Sequence, residues 1–196
     1  CPVETSLIAV VISIIGGGTV SRVTYNGEGL DTAIQERNSD RECSIFYYQN
    51  PDGNTEDVEI EISGETYGRK VAVYALAGTL TTPGVVDSTA VYNFDVSEGN
   101  GLEITPTVDG CIILDGFIVG QSADIIGFET VVYDDNTGIY NGGCGAGSQY
   151  FIQTTAATKE MAWSWSGESE AVHSLAAFQP EPEPVTNTNQ FFLFFN

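Results

Sequence analysis

Three carboxylates stand two residues apart at Asp57, Glu59 and Glu61. On a strand, residues at i, i+2 and i+4 project from one face. Two acids so placed, flanking one sugar linkage, are what a glycoside hydrolase needs for its acid and its nucleophile. The residues between and after them, Val58, Ile60 and Ile62, are all apolar. The stretch therefore reads as a half-buried strand with one wet, acidic face. His173 is the only histidine, so any histidine-dependent triad would have to use it. No G-x-S-x-G elbow is present, and Ala171-Val172-His173-Ser174-Leu175 alternates as an ordinary strand does. No catalytic residue is assigned, and the chain is read as a protein other than an enzyme.

Two turns are rich in oxygen ligands: Asp52, Asn54, Glu56 and Asp57, and then Asp134, Asp135 and Asn136. Calcium prefers six to eight oxygens from such loops, but the glycine that an EF-hand requires is absent. No metal site and no cofactor are assigned; divalent cations are expected only as screening for a very acidic surface. Trp163 and Trp165 share a face. Such a pair either stacks on sugar rings or fills a core, which keeps a carbohydrate-binding module among the alternatives. No N-x-Ser/Thr sequon occurs, although Thr and Ser residues near Pro83, Pro106 and Pro184 are places where O-linked sugar could attach.

Cys1, Cys43, Cys111 and Cys144 are an even set that allows three pairings. With no C-x-x-C and one histidine, a zinc site is disfavoured. One or two disulfides in an oxidising compartment is the preferred reading, with buried free thiols as its alternative.

Charge narrows the function classes. Six Lys and Arg face 27 Asp and Glu, a formal net charge of −21. That argues against a nucleic-acid binder and against docking on an anionic membrane. Five of the basic residues, Arg22, Arg37, Arg41, Arg69 and Lys70, fall in residues 1–70, leaving only Lys159 beyond them. No segment reaches the roughly 18 apolar residues of a membrane span.

The elements that must position these residues are strands. Period-two patterning and turn residues dominate, and strands are expected at 5–15, 19–25, 42–49, 56–63, 69–77, 88–95, 101–106, 110–119, 127–133, 148–155, 159–166 and 169–178. Residues 29–38 are the most helix-compatible stretch. Residues 7–15 are apolar on both faces, as are 111–114 and 117–119, so these strands belong at a centre or under another subunit. The expected architecture is all-β, a jelly roll or β-sandwich of two antiparallel sheets across residues 1–178.

The end of the chain departs from this pattern. Pro180, Pro182 and Pro184 alternate with Glu181 and Glu183, making residues 179–186 a stiff, extended spacer. Residues 187–196 follow, with Phe191, Phe192, Leu193, Phe194 and Phe195 apolar on both strand faces. Left exposed, such a strand aggregates. Burying five large apolar side chains yields roughly 8–15 kcal/mol gross, much of it offset by ordering and association. The segment is read as a strand donated to a neighbouring subunit, with docking back on its own domain or in a symmetric dimer as the alternatives. Head-to-tail donation is not satisfied in a closed pair and generates rings or open helical filaments.

Four motifs in order carry a family resemblance: Ser21-Arg22-Val23-Thr24-Tyr25-Asn26-Gly27, Ser44-Ile45-Phe46-Tyr47-Tyr48-Gln49-Asn50-Pro51, residues 58–64, and Ala162-Trp163-Ser164-Trp165-Ser166-Gly167. They resemble an uncharacterised prokaryotic and phage-associated group of jelly-roll structural domains, similar to subunits of secreted filaments. That group shows V-T-Y-N-G, Y-x-x-N-P, an alternating strand ending S-G, and a late W-x-x-S-G. The resemblance implies no catalytic residues. It implies a structural subunit of an extracellular, pilus-like homopolymer, with a phage capsid or tail decoration domain as the alternative. The group also has a strand ahead of the one matching residues 7–15, where only six residues precede it here. The resemblance thus implies an exposed groove.

Overall fold

The computed structural model describes residues 5–38, 40–52, 56–78, 85–96, 101–120, 125–135, 144–166, 169–180 and 193–194. Among the described residues it is all-β and sandwich-like, with no helix and most residues in strands. The chain first lays down β1 (Thr5–Ile15), β2 (Thr19–Tyr25), β3 (Glu28–Gly29), β4 (Asp31–Asn38), β5 (Arg41–Gln49), β6 (Val58–Ser63) and β7 (Gly68–Ala77). Then come β8 (Val85–Val96) and β9 (Leu102–Ile104). A second series follows: β10 (Cys111–Gly120), β11 (Ile125–Gly127), β12 (Thr130–Asp135), β13 (Cys144–Gln153), β14 (Lys159–Met161), β15 (Trp163–Trp165) and β16 (Ser169–Phe178). The last element is β17 (Leu193–Phe194).

The two series trace the same path. One sheet runs β17-β7-β1-β5-β4 and the other β8-β16-β10-β13-β12. Each is centred on an apolar strand held antiparallel on both sides. Val10 faces Phe46 on β5 and Val73 on β7, while Leu114 faces Tyr150 on β13 and Ala176 on β16. The outermost strand of each sheet comes from the segment following the other series. β8 follows β7 in the chain and pairs with β16; β17 follows β16 and pairs with β7.

The sheets meet face to face. Leu7, Ala9, Val11, Tyr74 and Leu76 of the first pack on Ile112, Leu114, Ala176 and Phe178 of the second. Their contact is close at Gly116, where a Cβ would lie 2.5 Å from Val11 Cγ1 and 2.6 Å from Cys43 Sγ. Polar bonds cross as well: Ser174 Oγ donates to Cys43 O at 2.9 Å, and Arg41 Nη1 to Glu170 Oε2 at 2.7 Å. Smaller sheets cover the outer faces. β3-β2-β6 covers Ile8, Val10, Ile12 and Ile14 of β1. Pairs β9–β14 and β11–β15 cover β10. Burial on both sides explains why β1 and β10 carry no polar face.

Several expectations meet the structure closely: 5–15, 19–25 and 169–178 are strands with those bounds. The hairpin β2–β3 turns on Asn26 and Gly27, both at positive φ, as a two-residue turn between twisted strands requires. Residues 29–38, read as helix-compatible, are instead mostly β4, paired to β5 with a bulge between Thr32 and Ile34. Sheet context overrides local propensity here. Gln35 Nε2 donates to Val20 O at 2.9 Å and to Glu42 Oε1 at 2.8 Å, anchoring β4 against β2 and β5. Among the described residues the strands are distributed over several antiparallel sheets, two large ones and three smaller, where two sheets were expected.

Candidate assembly site

The apolar end of the chain reaches the sheet edge at β7. Leu193 pairs with Leu76 and Phe194 with Ala75, antiparallel. Among the described residues, β7 carries no paired strand from Val73 back to Gly68 on that side. Phe191, Phe192, Phe195, Pro182 and Pro184 lie outside the described residues. Pro180 is described and sits 3.2 Å from the position a Cβ on Gly110 would take.

β7 alternates its side chains. Ala72, Tyr74 and Leu76 enter the core between the two large sheets. The opposite row is open: Val71 is 40% exposed and Val73 48%. Beside this row lies the edge of β6, the last strand of its sheet among the described residues. A cavity of about 300 Å³ runs between them, lined by Ile12, Val58, Ile60, Ile62, Arg69 and Val71. An unpaired strand edge next to exposed branched aliphatic side chains offers main-chain hydrogen bonds and an apolar floor together.

The other candidates fall elsewhere. Glu59 and Glu61 stand on the exposed face of β6, and Asp57 is exposed just before it. Glu61 approaches Arg22 at 3.7 Å, both well exposed. These carboxylates point away from the cavity, which is lined by Val58, Ile60 and Ile62 of the alternate row.

Trp163 and Trp165 are buried, which removes the sugar-stacking reading for this pair. Phe117 explains it: its ring stacks on Trp163 at 5.4 Å and lies tilted against Trp165 at 5.2 Å. Trp163 Nε1 donates to Asp115 Oδ2 at 3.0 Å. Asp115 Oδ2 also accepts from Gln149 Nε2 at 2.6 Å, and Asp115 Oδ1 lies 2.8 Å from His173 Nε2. The single histidine thus belongs to a fully buried polar knot. A buried carboxylate is tolerated only when its oxygens are bonded, and here they are. A lone Asp within the apolar run 111–120 was the available signal for this knot.

Cys43 and Cys111 are free and buried, correcting the expectation of disulfides for these two. Cys43 packs with Ile118, Ala146 and Val172 between the large sheets, whereas Cys111 packs with Ile104, Ile113 and Met161 on the far side of β10. A bridge needs Cα atoms within about 7 Å and converging Cβ vectors, and a sheet separates these two. Burial pushes the Cys43 thiol up to about 12 and the Cys111 thiol to about 11. Cys1 and the side chain of Cys144 lie outside the described residues. Of the two oxygen-rich turns, Asp52 and Asp134 are exposed and Asn54 and Asn136 lie outside the described residues. Among the described residues no three His, Cys, Asp or Glu side chains gather as a metal would need, and no helix is long and apolar enough to cross a membrane.

No protein-family model and no curated protein matches this chain.

Proposed function

We propose that the protein is a structural subunit that polymerises by adding its C-terminal strand to a neighbour. The observation that carries this reading is the pairing of Leu193 and Phe194 with the edge of β7. It supports a tail able to extend a sheet, and a sheet edge able to accept one. In the second half, β8 satisfies the matching edge over nearly the full length of β16, from Val96 opposite Ser169 to Val85 opposite Phe178. The first half has two paired residues in that place among the described residues. A terminal strand able to pair with a sheet edge of its own chain can also be offered to an identical chain, and the Pro/Glu spacer supplies reach. The product is an open, pilus-like filament outside the cell. Kinship with jelly-roll structural domains, inferred from the ordered motifs, is part of this reading, as is any O-linked glycan on the polymer. The high negative charge opposes close packing of subunits, so assembly is favoured by salt and divalent cations.

Negative-stain electron microscopy and sedimentation test it. The intact chain should form filaments. A chain with Phe191, Phe192, Phe194 and Phe195 replaced by Ser should stay a folded monomer, as should one ending at Pro184. Monomers from the intact chain under all salt conditions would refute the polymer.

A further inference from the structure

The open slot beside β7 has a counterpart in the second half, and there it is filled. Leu175 and Ala177, on the outer row of β16, are buried in one cluster with Leu102, Ile104 and Met161. Those covering residues sit on β9 and β14, which pair with each other. β9 lies against both β8 and β16, so it forms a layer above β16. Among the described residues, no strand does this above β7. Its Val71 and Val73 are uncovered, and β6 ends its sheet.

We infer that the slot lined by Ile12, Val58, Ile60, Ile62, Arg69 and Val71 is the acceptor for residues 190–196 of a second copy of the chain. This rests on the polymer reading and assigns its receiving surface. Three observations favour this occupant. A strand seated here must be apolar toward Ile12 and Val71 while bonding the edge of β6. Residues 191–195 are apolar on both faces, so they satisfy this in either register. Second, the chain's own tail pairs at Ala75 and Leu76. Among the described residues the tail goes no further, and Val71 is four residues beyond Ala75, ~13 Å away on an extended strand, so no described residue of the chain's own tail lies at the slot. Third, the slot carries Arg69 in a chain of net charge −21. Glu181 and Glu183 travel with the incoming tail and complement that cation. Since the slot and the tail are different surfaces of one chain, each copy can receive and donate at once. The contact is heterologous and open-ended.

The test uses the intact chain. A photo-reactive phenylalanine derivative replaces Val71, and equal amounts of ¹⁴N- and ¹⁵N-labelled protein are mixed, assembled and irradiated. Cross-links of mixed isotope from position 71 to residues 187–196 are expected. Cross-links within single-isotope chains only would overturn the inference, because the tail would then fill its own slot. Filaments without cross-links to the tail would overturn the slot and leave the polymer reading intact; absence of filaments would overturn both. As a second variant, Val71→Asp with Val73→Asp should weaken subunit association by roughly a hundredfold or more. Both positions are solvent-exposed, so the thermal melt of the monomer should not move. Unchanged polymer length in this variant would also overturn the assignment.

Discussion

β16 and β7 hold the same place in their sheets, each beside a central apolar strand, yet their outer rows meet different surroundings. On β16, Ala171, His173, Leu175 and Ala177 are all buried. On β7, Val71 and Val73 stand open, with Arg69 exposed beside them. The inner rows do not differ in this way, since both enter the shared core. A common topology thus covers this row in one half and leaves it uncovered in the other, among the described residues. The halves also differ in how they bury charge. Asp115 in the second half has three side-chain partners distributed over both oxygens. Glu42 in the first takes bonds from Val20 N, Gln35 and Ser44 on Oε1, and its buried Oε2 has no partner among the described residues.

The sharpest way to break this comparison is at Asp115. Asp115→Ala orphans Gln149, Trp163 and His173 in a sealed core, and a loss of about 3–5 kcal/mol is expected. Urea titration of the monomeric tail variant would measure it; a loss under about 1 kcal/mol would mean that the knot is not a stabilising centre. Next comes the pair Leu175→Ala and Val73→Ala. The first removes a covered residue and should cost about 2–5 kcal/mol. The second touches an uncovered row and should change monomer stability by about 0.5 kcal/mol or less. Equal effects would show that the two rows are not differently finished.

A third test addresses the close approach of the sheets. Gly116→Ala places a methyl against Val11 and the Cys43 sulfur, and about 1–3 kcal/mol of overpacking is expected in a thermal melt. A neutral result would mean that the sheets separate readily. The smallest effect concerns the thiols. Their folded-state values are raised from 9.0 by burial, so the folded chain holds these protons more tightly than the unfolded one. The associated stability is complete below about pH 9 and is lost as pH climbs through 11 toward 12. Cys43→Ala should therefore flatten the alkaline fall in stability by about 1 kcal/mol between pH 8 and 10. An unchanged slope would place the Cys43 thiol in contact with water.

The sequence by itself determined the strands and the character of their faces. The alternation of Val58, Ile60 and Ile62 with Glu59 and Glu61 assigns β6 its two faces, because side chains alternate strictly along a strand. The apolar run 7–15, interrupted only by Ser13, required burial on both sides, and β1 has it. Asn26-Gly27 specified its hairpin through backbone conformation alone. Tertiary structure decided which strands meet. Nothing local says that β8 joins β16 rather than β7, or that β4 prefers pairing with β5 over a helical turn, because pairing energy comes from neighbours distant in the chain. The fate of Trp163, Trp165 and His173 was also decided there. Their spacing suits a sugar platform or a catalytic base equally well. Only Phe117 and Asp115, brought from β10, convert them into core. The slot beside β7 is tertiary in the same sense: its walls come from β1, β6 and β7, and its openness is visible only against β9 covering the other half.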